Sequence, residues 1–314
     1  MHRSLAGALA VLVLSTACGR SDAAPDAAAP AVQFIEANWK PPREADIPAD
    51  SMGASIRRGL YLLRNTPDSL PRYATSGLRC TSCHQDDGIR VTSGPLTGSH
   101  ARFPKYMSRT GAVISLADRV NYCFTRSLAG NVLPVDSREM TDILAYLAFI
   151  SRDVPVGVQL AGADGLVAMP EALDGDASRG ERLFTEKTCM TCHGVDGNGV
   201  GLLPPLWGPR SYSIGASMSR IERAASFIYH NMPQSAPGSL TPQEALDLAA
   251  YINGKPRPDS PAKELDWPIG GNPADVPYDL RSGHRAFRPP PLLPRATPTS
   301  AVVPVPPRAA DGLR

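Results

Sequence analysis

The chain has 314 residues, 42% of them hydrophobic and 20% charged, with a formal net charge of +2. At roughly 150 residues per domain, this length allows two ordinary domains with some left over for tails. The apolar share excludes wholesale disorder, and the near-neutral balance gives no support for a polyanion, so no nucleic-acid partner is expected. Two oddities remain: 32 prolines, about twice the usual share of 5%, and 6 cysteines whose positions say more than their number.

Residues 1–17 read as a secretory signal, with a basic start at His2 and Arg3, an apolar run from Leu5 to Leu14 and the small residues Ser15, Thr16 and Ala17. The run is too short to span a bilayer stably. It predicts export to the periplasm. Cys18, directly after a small residue, resembles the lipidated cysteine of bacterial lipoproteins and is the expected membrane anchor. Residues 18–50, with repeated Ala, Asp and Pro, then read as a flexible tether.

Cys80-Thr81-Ser82-Cys83-His84 and Cys189-Met190-Thr191-Cys192-His193 both fit C-x-x-C-H, the attachment pattern of c-type haem. Two thiols add to the haem vinyl groups, and the histidine that follows supplies a nitrogen to iron from the same turn. Zinc sites also use C-x-x-C, but they do not require a histidine immediately after each pair. Two covalently bound haem c groups are therefore expected, with His84 and His193 as proximal iron ligands.

Each motif sits between two helical patterns. Ile56, Gly59, Leu60 and Leu63 share one face ahead of the first motif, and Gly59 permits close crossing by another helix. After it, Asp136 followed by Glu139 predicts a cap for a helix carrying Met140, Ile143, Leu144 and Leu147. The second copy repeats this, with Gly180, Leu183 and Phe184 before Cys189. Thr241, Pro242 and Glu244 then open a last helix whose face is Ala245, Leu248, Ala249 and Ile252. The expected fold is mainly α: two tandem class I cytochrome c-like domains, at 51–153 and 175–255, joined by a linker at 154–174. Residues 256–314 form a tail. The stretch from Lys255 to Arg314 is dense in proline and has little periodicity, so it is expected to be mostly extended and poorly packed, with Trp267 and Tyr278 able to pin part of it.

The ligand opposite each histidine is less obvious. Met232 is the best candidate in the second domain, on the Asn231-Met232-Pro233 loop before the final helix, with His230 and Met218 as rivals. In the first domain Cys123 is the one cysteine left once four serve haem and Cys18 serves the lipid. The step along the chain from His84 to Cys123 equals the step from His193 to Met232, and the other available ligand is Met107. An anionic thiolate lowers a haem potential and a thioether raises it, so electrons should pass from the first haem to the second. Around Cys123, Arg102, Lys105, Arg109, Arg119 and Arg126 face a single acid, Asp118. That local excess suggests a funnel for a small anion, with Arg109 and Arg126 as the pair to test.

These residues resemble the dihaem thiosulfate dehydrogenases, which interconvert thiosulfate and tetrathionate. The likeness runs from about Arg58 to Gly157 and is densest at Leu78–His84, Phe103–Tyr106 and Arg119–Ser127. The resemblance implies a His/Cys-ligated catalytic haem, a second haem that relays electrons, Cys123 as the reactive thiolate, and Arg109, Arg126 and Ser127 lining an anion pocket. The chain departs from the family's Arg-Ser-x-Asn-Gly pattern, carrying Ala129 in place of Asn. The implied reaction joins two thiosulfates oxidatively and passes electrons to an external acceptor such as another cytochrome c. Two other readings compete: a dihaem carrier without a substrate, and a sulfur-oxidation cytochrome acting on a carrier protein. A dihaem peroxidase needs an open iron, which Cys123 in the ligand position argues against.

Overall fold

The computed structural model describes residues 36–163, 168–169 and 174–281. The signal segment, Cys18, the start of the tether, parts of the linker and the tail beyond 281 lie outside the described residues. In the first half, α1 (Ser51–Arg64) starts where the Asp50 side chain accepts from the Gly53 N–H. Short helical turns follow at α2 (Thr66–Ser69), α3 (Cys80–Cys83), α4 (Gln85–Gly88) and α5 (Ser99–Arg102). An antiparallel hairpin pairs β1 (Lys105–Met107) with β2 (Ala112–Ile114). Then come α6 (Leu116–Tyr122), which runs directly into a π-helical turn at Cys123–Ser127, and α7 (Arg138–Phe149). The second half contains α8 (Ala177–Glu186), α9 (Met190–His193), α10 (Ile221–Asn231) and α11 (Pro242–Asn253).

Both halves are built on one crossing. A Cβ on Gly59 would lie 2.0 Å from the Asp142 carbonyl oxygen, and a Cβ on Gly180 would lie 2.0 Å from the Asp247 carbonyl oxygen. Only glycine allows α1 to meet α7, and α8 to meet α11, at that separation. The residue before each glycine seals the contact: Arg58 donates through Nε and Nη2 to Asp142 at 2.8 and 2.9 Å, and Arg179 does the same to Asp247 at 2.7 and 2.9 Å. Paired donors on a carboxylate fix orientation as well as charge. Each half has its own apolar cluster, centred on Leu63, Phe124, Met140 and Ile150 in the first and on Phe184, Trp207, Leu248 and Ile252 in the second. Met218 packs against both clusters.

The predicted box at Thr241, Pro242 and Glu244 forms, with Thr241 accepting from the Glu244 N–H. The start of α7 falls one residue later than the Asp136–Glu139 spacing predicts. Ser137 is the cap, its hydroxyl accepting from Met140 N at 3.1 Å, because a turn from Ser137 N to the Pro134 carbonyl keeps Asp136 outside the helix. Residues 36–50 lie against the first half: Trp39 Nε1 donates to the Arg152 carbonyl at 2.9 Å, and Ile47 is buried in the core.

The described part of the tail is packed more closely than expected, and Trp267 and Tyr278 pin it. Residues 256–281 dock by backbone hydrogen bonds, Gly208 N to the Pro256 carbonyl, Ile214 N to the Pro258 carbonyl and Trp267 N to the Arg109 carbonyl, all at 2.7–2.8 Å. Proline removes donors from this segment but leaves every carbonyl able to accept, so an extended strap can be tied down without regular structure.

Candidate active site

The first C-x-x-C-H occupies α3 and the residue after it. Thr66 Oγ1 approaches Cys80 Sγ at 3.3 Å, and His84 Nδ1 meets the Gly94 carbonyl at 2.5 Å, which leaves Nε2 as the nitrogen available to iron. Burial pushes the Cys80 and Cys83 thiols, before haem is attached, up to about 11 and about 12.

Cys123 is brought against the His84 ring by α6. The Ser115 and Asp118 capping box sets the start of that helix, so Arg119 and Cys123, four residues apart, share a face. Arg119 Nη1 lies 3.0 Å from Cys123 Sγ. Burial alone would raise this thiol, but the Arg119 guanidinium and the hydrogen-bond contact with His84 outweigh it and bring it down to about 6. The next turn widens: Leu128 N bonds to the Cys123 carbonyl at 2.9 Å, a five-residue step of the kind frequent at functional sites. Arg119 stands outside the pair of arginines that the sequence singles out, although its place one helical turn before Cys123 carries the signal.

Arg109 and Arg126 do line a pocket beside Cys123, together with Met107, Arg119, Ser127 and Ser217. The pocket holds about 80 Å³, enough for several waters or one small oxyanion. Arg126 also lies over the Tyr122 ring, 4.4 Å from its centre. The expected basic funnel is smaller than the composition suggests, because Arg102 turns away to donate to the Ala163 carbonyl at 2.7 Å. Arg109 and Arg126 share a carboxylate, Asp266, from the tail. Ala129 does not line the pocket. Its φ is +50°, a left-handed conformation that asparagine tolerates better than alanine, so the departure at this position lies first in the backbone.

In the second half, His193 Nδ1 lies 2.9 Å from the Pro204 carbonyl. Met232 packs in the same apolar cluster as Cys189 and Met190. His230 instead stacks edge-on to Tyr229 and directs Nε2 towards the Ala168 carbonyl at 3.3 Å. The neighbouring Asn231 is buried and ties the halves together: its Nδ2 donates to the Thr92 carbonyl at 2.9 Å, and Thr92 Oγ1 donates to its Oδ1 at 2.8 Å. Thr92 lies two residues before Gly94, the partner of His84.

The described residues fit a bound haem better than a bare metal. No three His, Cys, Asp or Glu side chains among them converge as a zinc site requires. Gln85 Nε2, adjacent to His84, and Arg257 Nη1 are buried donors without a partner among the described residues, and Arg257 stacks 4.3 Å over Tyr212. Buried donors left open in this way suit the polar edge of a group that fills the space.

Comparison with known proteins agrees. Residues 72–156 match the SoxA/TsdA cytochrome c domain family and residues 177–255 the cytochrome c family. Two such domains carry two covalently bound haem c groups. A thiosulfate dehydrogenase of Psychrobacter arcticus is 39% identical over 76% of this chain and 74% of its own length. One from Allochromatium vinosum is 40% identical over 69% of this chain and 83% of its own. The solved thiosulfate dehydrogenase TsdBA of Marichromatium purpuratum superposes with a TM-score of 0.65 at 32% identity over 72% of this chain, which spans about half, 51%, of that longer chain. Two haem-binding helical domains with this likeness along most of their length make the chain a member of the thiosulfate dehydrogenase family of dihaem c-type oxidoreductases.

Proposed function

We propose that the protein joins two thiosulfate dianions into tetrathionate at the first centre and sends the two electrons through the second to an external acceptor such as another cytochrome c. The observation that carries this reading is Arg119, which lies 3.0 Å from the Cys123 sulfur and lines the pocket together with Arg109 and Arg126. Attached at Cys80 and Cys83 and at Cys189 and Cys192, the haems supply a one-electron acceptor each. In this reading His84 and Cys123 hold the first iron, and His193 and Met232 hold the second. Cys123, an anionic donor, favours a low potential and Met232 a high one, so electrons run towards the second centre.

Cys123 Sγ forms a bond to the outer sulfur of the first thiosulfate as two electrons leave, giving a Cys–S–S–SO₃⁻ adduct. The second thiosulfate attacks the sulfur that carries the sulfonate. That step expels the Cys123 thiolate and releases tetrathionate, so sulfur and charge balance. Arg119 stabilises the thiolate before and after. Arg109, Arg126 and Ser127 receive the sulfonate oxygens and offset the repulsion between two dianions. Steady-state oxidation of thiosulfate with ferricyanide tests this, with Cys123→Gly expected to lose turnover while keeping both haems. Wild-type protein without thiosulfate-dependent turnover would favour a pure electron carrier.

Residues 1–17 are proposed to direct export to the periplasm and Cys18 to carry a lipid anchor. Among the described residues no helix is long and apolar enough to cross a membrane. Mass spectrometry of the mature N-terminus decides the anchor, and an unmodified Cys18 would sink it.

A further inference from the structure

Arg109 and Arg126 come from different elements of the first half, yet their guanidinium groups meet at one carboxylate. Arg109 Nε donates to Asp266 Oδ2 at 2.9 Å, and Arg126 Nη2 donates to Asp266 Oδ1. Tyr278 completes the arrangement, donating its hydroxyl to Asp266 Oδ2 at 2.7 Å while accepting from Arg109 Nη2 at 2.7 Å. Arg109 Nη2 also donates to the Gly215 carbonyl at 2.6 Å. Asp266 and Tyr278 both lie beyond residue 255, where the second cytochrome c match ends.

Two guanidinium groups brought this close repel, and burial weakens the screening that water would supply. Burial and the charge of Arg109 both weaken the hold of Arg126 on its proton. A buried acid between them is the partner that lets both stay charged and still. It also decides which edges point where. Asp266, Gly215 and Tyr278 occupy Nε and Nη2 of Arg109, and Asp266 occupies Nη2 of Arg126. Among the described residues, Nη1 of neither arginine has a hydrogen-bond partner, and both arginines line the pocket. The strap carrying the acid is anchored on the same arginine, through Trp267 N to the Arg109 carbonyl at 2.8 Å and the Trp267 ring 4.8 Å from the guanidinium.

We propose that Asp266, braced by Tyr278, is a positioning residue that presents Arg109 and Arg126 to a divalent oxyanion. The substrate named rests on the reading under Proposed function, but the geometry concerns any small divalent oxyanion. Asp266→Asn removes the charge and one acceptor while keeping shape. It should raise KM for thiosulfate about tenfold with kcat changed less than about twofold, the pattern of lost binding that is shared by ground and transition states. Tyr278→Phe should move KM the same way by about threefold, less than Asp266→Asn because it loses the hydroxyl's bonds to Asp266 and Arg109 but leaves the carboxylate between the arginines.

The experiment measures both constants by thiosulfate-dependent ferricyanide reduction with the dihaem protein. In parallel, calorimetric titration of the oxidised protein with thiosulfate and with sulfate gives Kd directly. Haem content and visible spectra equal to wild type establish that the variants are folded; if Asp266→Asn does not load haem, Tyr278→Phe carries the test alone. Weaker binding in both assays supports the proposal. An unchanged or lowered KM or Kd overturns it, the lowered case meaning that Asp266 competes with the anion for the arginines. If wild type binds both anions without turnover and the variants bind them about tenfold and threefold more weakly, the substrate reading fails and the positioning role stands. Wild type that neither turns over nor binds removes both.

Discussion

Gly59→Ala tests the crossing on which the first domain is built. The added Cβ would lie 2.0 Å from the Asp142 carbonyl oxygen, far inside the 3.4 Å at which ordinary contact begins. The obstacle is helix backbone, which cannot swing aside as a side chain would, so α1 and α7 must separate. Overpacking of this kind costs about 1–3 kcal/mol. The separation also stretches the 2.8 and 2.9 Å bonds from Arg58 to Asp142. Hydrogen bonds to charged groups are worth about 1.5–3 kcal/mol each. Alanine returns roughly 1 kcal/mol of helix propensity. The net loss is about 2–4 kcal/mol, or roughly 5–15 °C in Tm for a folded unit of this size. Circular dichroism melts of the dihaem protein measure it, with Gly180→Ala as an internal replicate because its Cβ meets Asp247 at the same 2.0 Å. A Tm within about 2 °C of wild type for both variants would refute the reasoning.

Arg119→Ala should lower kcat/KM for thiosulfate about 10–100-fold, the value of one charge-assisted contact, with Arg119→Lys recovering part of it; equal activity in the alanine variant counts against Arg119 as the partner of Cys123. Ala129→Asn should raise stability by about 0.5–1 kcal/mol, because it relieves the left-handed strain at φ +50°, and denaturant melts should show this with KM unchanged. Burial opposes ionisation of Asp247, but the hydrogen bonds from Arg179 outweigh it and hold its carboxyl below the ordinary range. A depressed carboxylate contributes stability above its unfolded value near about 3.9 and loses it as pH falls. Asp247→Asn should therefore flatten the acid limb of the stability profile below about pH 4, and an unchanged limb would dismiss that contribution.

Several features were legible because their causes are local. The haem turns, the capping box at Thr241 and the glycine faces at Gly59 and Gly180 each depend on residues within one or two helical turns. Arg119 was not singled out although its signal is local, since a helix capped at Ser115 sets it four residues from Cys123. The start of α7 was missed by one residue because the turn from Pro134 to Ser137, not the acid spacing, chose the cap. The arginine–aspartate seals of the two crossings were missed because Asp142 and Asp247 lie 84 and 68 positions from their partners.

The cysteine and histidine motifs alone determine that the chain carries two haems, since thioether attachment and proximal ligation need only neighbours on one turn. Tertiary structure alone decides what holds Arg109 and Arg126 together. Asp266 stands 157 and 140 residues from Arg109 and Arg126, in a proline-rich segment with no periodicity to mark it. Like charges gathered by folding need a counter-charge, and a long-range partner for them leaves no local pattern in the chain.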